Sequence, residues 1–157
     1  MRTGIGYDIH AFGGSRTLVL GGVRFEGERG LLGHSDADVL LHAVIDALLG
    51  AAALGDIGTR FPPDDPQWAG ADSARLLADV AADLRERGLA VESLDSTVIA
   101  ERPRLAERIP EMRQRIAGAL GVDAARVNVK ATTNEGLGAL GRGEGIAALA
   151  VVLLAER

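Results

Sequence analysis

From Val39 to Leu54 the chain is apolar at nearly every position, and only His42, Asp46 and Gly50 interrupt it. A surface helix is polar over about half its circumference, so this run predicts a helix that is buried almost all round. Asp38, His42 and Asp46 are four apart and stack along one face of it. Polar groups carried into a core need bonded partners and destabilise it unless they have a task. The line therefore marks a place where something polar is bound. Ser35 is the expected cap, with Asp36 and Asp38 in the first turn and His34 just ahead. Gly55 stops the helix, and Asp56-Ile57-Gly58 follows as a turn.

The remaining periodicities surround that helix. Arg2 to Phe12 reads as a strand in which Asp8 and His10 share one face and Tyr7 and Ile9 the other. Gly13-Gly14-Ser15 is a turn. Thr17 to Leu20 and Val23 to Phe25 form a hairpin about Gly21-Gly22, and Glu26 to Leu32 leads into the buried helix. Phe61 to Gly70 is a loop that three prolines keep out of helix, and its two aromatics and two acids favour binding. Asp72 to Arg87 has a helical stripe closed by Gly88, and Leu89 to Ala100 is a strand. After a turn at Pro103, helical spacing runs from Leu105 to Leu120 with Pro110 in the first turn. Arg126 to Thr133 and Gly143 to Leu154 are strands. The order predicts an α+β fold, one domain over residues 1–157, with helices on one face of a mixed sheet. Three helices do not cover two faces, which points to other subunits on the second.

Composition narrows the function classes. The 157 residues carry a net charge of -5, which gives no footprint for nucleic acid or an anionic membrane. There is no cysteine, so disulfides, thiolate metal sites and a Cys nucleophile are excluded together. No stretch has the length of a membrane span and the start lacks a leader pattern, so the expected location is the cytoplasm.

Three constellations could carry chemistry. Gly136-Leu-Gly138-Ala-Leu-Gly141 matches a dinucleotide fingerprint literally, but it opens no βαβ unit, so a Rossmann reading is rejected. Its amides and Arg142 suit phosphate oxygens instead. The chain has only three histidines, His10, His34 and His42, and each lies near an acid. Two histidines and an acid would hold Zn2+ with one position open. Spacing leaves open which two, although His10 and His42, in regular elements, are better placed than His34. Lys130-Ala-Thr-Thr-Asn-Glu135 reads either as hydroxyls and a carboxylate for phosphate and Mg2+ or as a Thr-rich strand edge.

Together these residues resemble the 2-C-methyl-D-erythritol 2,4-cyclodiphosphate synthases of non-mevalonate isoprenoid biosynthesis. The resemblance is carried by Gly-Tyr-Asp8-Ile-His10, Gly-His34-Ser35-Asp-Ala-Asp38, Leu-His42-Ala, Leu-Gly-Asp56-Ile-Gly58, Phe61-Pro62, Gly70-Ala-Asp72-Ser73, Val-Asn-Val-Lys130-Ala-Thr-Thr and Gly141-Arg142-Gly-Glu144-Gly, nearly end to end. It implies a homotrimer with sheets facing one another and active sites between subunits. It also implies a lyase that closes 4-diphosphocytidyl-2-C-methyl-D-erythritol 2-phosphate into a cyclic diphosphate and releases CMP.

Residue by residue, the resemblance implies Asp8, His10 and His42 as Zn2+ ligands and Glu135 as ligand of a second ion, Mg2+ or Mn2+, at the diphosphate. It implies His34 and Thr133 as transition-state stabilisers. Ser35 and the loop with Phe61, Pro62, Asp64 and Asp65 would hold the methylerythritol phosphate. Asp56, Ile57 and Gly58 would meet the ribose. Ala100, Pro103, Arg104, Leu105 and Ala106, with Ala131 and Thr132, would hold the cytosine and its phosphate. Ala139 and Arg142 would sit near the phosphates or the trimer cavity. Pro63, Arg104, Gly136 and Ala139 depart from the usual family residues, and none of them is a metal ligand. Two competing readings are a zinc phosphoester hydrolase, which needs no cytosine pocket, and a non-catalytic trimeric binding module, which needs no open metal position.

Overall fold

Two glycines decide how closely the central helix approaches the sheet. In the computed structural model, which describes Met1–Arg157, Gly4 and Gly6 lie on β1 (Arg2–Leu20) beneath α1 (Val39–Ala51). A Cβ on Gly6 would stand 1.9 Å from the Ala43 carbonyl oxygen, and one on Gly4 2.0 Å from that of Ala47. Only a strand without side chains there lets helix backbone rest on strand backbone. That close approach brings Asp8 and His10, next along the same strand face, up to His42.

β1 is longer than its glycines suggested. Gly13-Gly14-Ser15 does not end the strand; Phe12 pairs with Leu31 and Thr17 with Arg29 of β2 (Val23–Leu31), so the extra residues form a bulge. Gly14, at φ 69°, absorbs the bend without breaking the ladder. The segment from Glu26 is therefore mostly strand rather than a lead into helix.

β3 (Leu89–Ile99), β4 (Val127–Thr132) and β5 (Gly145–Glu156) complete one sheet in the order β2-β1-β5-β3-β4. Only β3 and β4 are parallel, and the crossover between them is α4 (Ile109–Leu120). α2 (Ile57–Arg60) and α3 (Ser73–Glu86) stand between α1 and β3, and the short α5 (Gly138–Gly141) precedes β5. Ala106–Arg108 forms a 3-10 turn ahead of α4, so that helix starts later than its apolar spacing suggested.

α1 is shorter at both ends than expected. Its cap is Asp38, not Ser35: the carboxylate accepts from Leu41 N at 3.1 Å and also ties down Gly21 N and Gly22 N at 2.9 and 2.7 Å. One buried acid thus caps the helix and pins the turn between β1 and β2. At the other end, Ala53 at φ 58° and a Leu54 N–H to Leu49 carbonyl bond close the helix after Ala51.

The helices cover one sheet face and share a single apolar core with it. The other face carries Ile5, Tyr7 and Ile9 of β1 and Val151 of β5 with nothing over them; Ile5 is 70% and Tyr7 52% exposed. The register sets Ile5 opposite Val151 and Tyr7 opposite Leu149, so these side chains form one apolar stripe. No helix is long and apolar enough to cross a membrane.

Candidate metal centre and its cleft

Asp8 and His10, two apart on β1, meet His42 from the second turn of α1. Asp8 Oδ2 lies 2.8 Å from His10 Nε2 and 2.9 Å from His42 Nδ1, and the two nitrogens are 3.2 Å apart. Burial opposes the charge on Asp8, but the hydrogen bonds and positive fields of His10 and His42 outweigh it and hold its carboxyl down at about 2. The same pairing raises His10 above the ordinary histidine range, against its burial. His10 Nδ1 donates to the Leu32 carbonyl at 2.6 Å, so in the neutral ring Nε2 carries the lone pair, and only the protonated ring can donate from Nε2 to Asp8. A carboxylate and an imidazole lone pair converging within hydrogen-bond distance repel unless a proton or a cation stands among them. One oxygen and two imidazole nitrogens are the donor set of a three-ligand divalent site, and the residues fit such an ion.

The polar line of α1 is not self-contained. Neither the Asp38 nor the Asp46 carboxylate bonds the His42 ring, and Asp38 meets His42 only through its backbone carbonyl, which accepts from His42 N at 3.0 Å. Asp38 faces the glycine turn, and Asp46 accepts from Ile57 N at 2.8 Å. Burial pushes the Asp46 carboxyl up, as do the neighbouring charges of Asp56 and Asp8. On its far side His42 Nε2 meets Ser35 Oγ and Ser73 Oγ, each at 3.0 Å. The Arg16 guanidinium, from the β1 bulge, donates to the Ser35 carbonyl.

The triad opens into a cleft of about 250 Å3. His34, Ser35, Ile57, Gly58 and Phe61 line it, and Pro63, Trp68 and Leu76 complete the apolar wall. Phe61 and Trp68 pack edge to face with ring centroids 5.0 Å apart, and the buried Trp68 indole N–H has no partner within the chain. His34 Nε2 lies 3.3 Å from the Asp65 carbonyl, which joins the loop Phe61 to Gly70 to the histidine segment. Asp56 caps α2 through Thr59 N at 2.7 Å. Pro62, Asp64 and Asp65 belong to the same loop but do not line the cleft.

The remaining candidates gather elsewhere. Ala100 N bonds the Thr132 carbonyl at 2.9 Å, Asn134 N bonds Glu101 Oε1 at 2.8 Å, and Glu135 N bonds Thr133 Oγ1 at 3.2 Å. Ala131, Thr132, Thr133 and Glu135 therefore form one group with the segment Ala100 to Ala106, at the ends of β3 and β4. Glu135 is exposed and held at φ 52°. Arg142 pairs with Glu144 at 2.6 Å, and Ala139 is exposed on α5. β5 and β3 lie between β1 and β4, so Asp8 and its row mate Ala131 are three strand spacings apart, roughly 14 Å. Within one chain the two groups are separate.

The sequence reading placed Asp36 only in the first turn of the buried helix, which in fact starts at Val39, and gave no part in the site to Ser73, Leu76 or Arg16. Leu76 follows the helical stripe of α3 and reads as core. Ser73 and Asp36 become neighbours of His42 only when α3 is set against α1, which no local pattern announces.

The profile of the YgbB family matches residues 1–155. A 2-C-methyl-D-erythritol 2,4-cyclodiphosphate synthase from Thermosynechococcus vestitus is 60% identical over 154 residues, covering 98% of this chain and 96% of the relative. The bifunctional IspDF of Campylobacter jejuni superposes with a TM-score of 0.96 at 44% identity, covering 99% of this chain but 42% of that longer protein. A CDP complex of IspF from Plasmodium falciparum superposes with a TM-score of 0.86 at 32% identity, covering 99% and 96%.

Proposed function

The chain belongs to the YgbB family, whose matching relatives are cyclodiphosphate synthases, and we propose that its reaction is run by a metal-centred cleft completed by a second subunit. The protein is a phosphorus-oxygen lyase of isoprenoid biosynthesis. It closes 4-diphosphocytidyl-2-C-methyl-D-erythritol 2-phosphate to 2-C-methyl-D-erythritol 2,4-cyclodiphosphate and releases CMP. The relatives that match it end to end carry the synthase name, and no observation favours the zinc hydrolase.

The observation that carries the mechanism is the convergence of Asp8, His10 and His42 at the mouth of a cleft walled by Phe61 and Trp68. We read the ion there as Zn2+, which when bound offers charge to a phosphate oxygen. The nucleophilic 2-phosphate and the attacked phosphorus belong to one molecule, so the chain's task is to fold that molecule into line. Ser35 and the Phe61 to Asp65 loop hold its polyol end, Asp56, Ile57 and Gly58 meet the ribose, and His34 donates to the charge that develops during ring closure. In this reading the β-phosphorus gains the new P–O bond, loses CMP, and needs neither a protein nucleophile nor water.

Thr133, Glu135 and the Ala100 to Ala106 segment complete the site from the neighbouring copy. Support comes from their distance from Asp8 within one chain and from the uncovered stripe of Ile5, Tyr7, Ile9 and Val151. Closed packing of such faces gives a ring, and a trimer is our reading. Glu135 then brings a second hard cation, Mg2+ or Mn2+, to the diphosphate, and Ala100 to Ala106 take the cytosine. The CDP complex of the Plasmodium falciparum relative supports a cytidine pocket.

The test is phosphorus NMR on the purified protein with the cytidylyl substrate, Zn2+ and Mg2+. CMP together with a coupled pair of diphosphate resonances that resist phosphatase is the expected result. CMP with only open-chain phosphates would make water the nucleophile.

A further inference from the structure

Either ring nitrogen of an imidazole can be the one that lacks hydrogen, and a metal needs that one facing it. For His42 the choice is made behind the ring. Ser73 Oγ lies 3.0 Å from His42 Nε2 and 2.5 Å from Asp36 Oδ1. Ser73 N donates to the other oxygen, Asp36 Oδ2, at 3.0 Å, so the serine grips the carboxylate with both its donors. Asp36 Oδ1 also accepts from Asp38 N at 3.1 Å, and Asp36 N donates to the Ala71 carbonyl at 3.0 Å. The carboxylate is thus fixed between the α1 cap and the start of α3.

A carboxylate only accepts, and a serine has one hydroxyl hydrogen. That hydrogen is committed to Asp36, so Ser73 Oγ can only accept from His42, and Nε2 must be the nitrogen that donates. The neutral ring then keeps its lone pair on Nδ1, the nitrogen that faces Asp8 and His10. Ser35 Oγ, equally near Nε2, has no carboxylate behind it and accepts from Ala37 N at 3.3 Å, so its hydroxyl hydrogen stays uncommitted. Ser73 is wholly buried, which shields this chain of bonds from exchange with water.

We propose that Asp36 and Ser73 are positioning residues that fix the tautomer of His42, holding Nδ1 bare for a divalent cation. His10 gets the same service from the Leu32 carbonyl, a backbone group, whereas the device behind His42 is built from side chains and can be removed. Such outer partners typically set ten- to hundred-fold of metal affinity, roughly what is expected here. The proposal rests on reading Asp8, His10 and His42 as a metal site.

The experiment compares the whole protein with Asp36→Asn, Ser73→Ala and Ser35→Ala. Two readouts are used: Zn2+ affinity by competition with a chromophoric chelator, and histidine 15N shifts of the metal-free protein at pH 8. The unmodified protein is expected to show His42 as the Nε2–H tautomer. Asp36→Asn and Ser73→Ala should each give a mixture and weaken Zn2+ by about ten- to hundred-fold, with Ser35→Ala within about threefold. Asp36→Asn is nearly isosteric and keeps the question answerable if Ser73→Ala fails to fold. An Nδ1–H tautomer in the unmodified protein, or unchanged tautomer and affinity in both relay variants, overturns the relay. Absence of Zn2+ binding by the unmodified protein overturns the metal reading and the purpose of the relay with it. The 15N shifts still distinguish the two failures.

Discussion

At the scale of single residues, the site depends on acids whose surroundings pull in opposite directions. Asp8 is drawn down by two imidazoles, while Asp38, fully buried, is pushed up to about 6 by burial first and the Asp36 charge second. Three backbone N–H groups on Asp38 pull the other way and lose. A carboxyl raised in the folded state contributes stability that is complete below its unfolded value and is lost as pH rises through the folded one. The stability of the metal-free protein relative to Asp38→Asn should therefore be greatest near pH 4 and shrink towards pH 7. Urea unfolding at several pH values checks this, and a difference that widens with pH would contradict it. Removing the metal has its own signature. A chelator should abolish turnover and Zn2+ should restore it, because the triad offers no other electrophile.

At the scale of elements, the site exists because α1 can touch β1. Gly6→Ala would drive a methyl into the Ala43 carbonyl, so helix and strand must part and His42 leaves Asp8. Overpacking of this kind should cost about 3 kcal/mol or more, read as a fall in denaturation midpoint together with loss of metal binding. Gly50, exposed on the same helix with nothing near its missing Cβ, is the contrast. Gly50→Ala should stabilise by about 0.5–1 kcal/mol through helix propensity alone. The two glycines are indistinguishable as letters. One is required by a neighbouring backbone and the other is not.

At the scale of the whole molecule, the two halves of the proposed site cannot meet in one chain. A mixture of His42→Ala and Glu135→Ala subunits, each inactive alone, should regain activity after co-refolding. Random equal assembly of a ring gives about a quarter of the interfaces an intact half from each side. No recovery would mean that both halves serve the same subunit. Val151→Asp puts a charge in the middle of the uncovered stripe. It should leave the fold intact by circular dichroism while sedimentation shows monomers and turnover disappears.

The buried helix was readable from the sequence because burial leaves a period, and Val39 to Leu54 had too few polar positions for a surface. The alternation of Asp8 and His10 with Tyr7 and Ile9 likewise set the candidate metal ligands and the apolar stripe on opposite faces of β1 from the sequence alone. The three histidines and their acids were visible as a set, but spacing alone did not say which two converge; the resemblance did. What the sequence hid was every relation across elements. Ser35 looked like a cap because caps are local, yet Asp38 holds that place by also binding the Gly21-Gly22 turn from far along the chain. The bulge at Gly14 looked like a turn because only the partner strand shows that the ladder resumes. Asp36 and Ser73 are 37 residues apart and say nothing about His42 until α3 lies against α1. Periodicity records which side of an element faces the core, but partners across a core are chosen by packing, and packing is not written in any one segment.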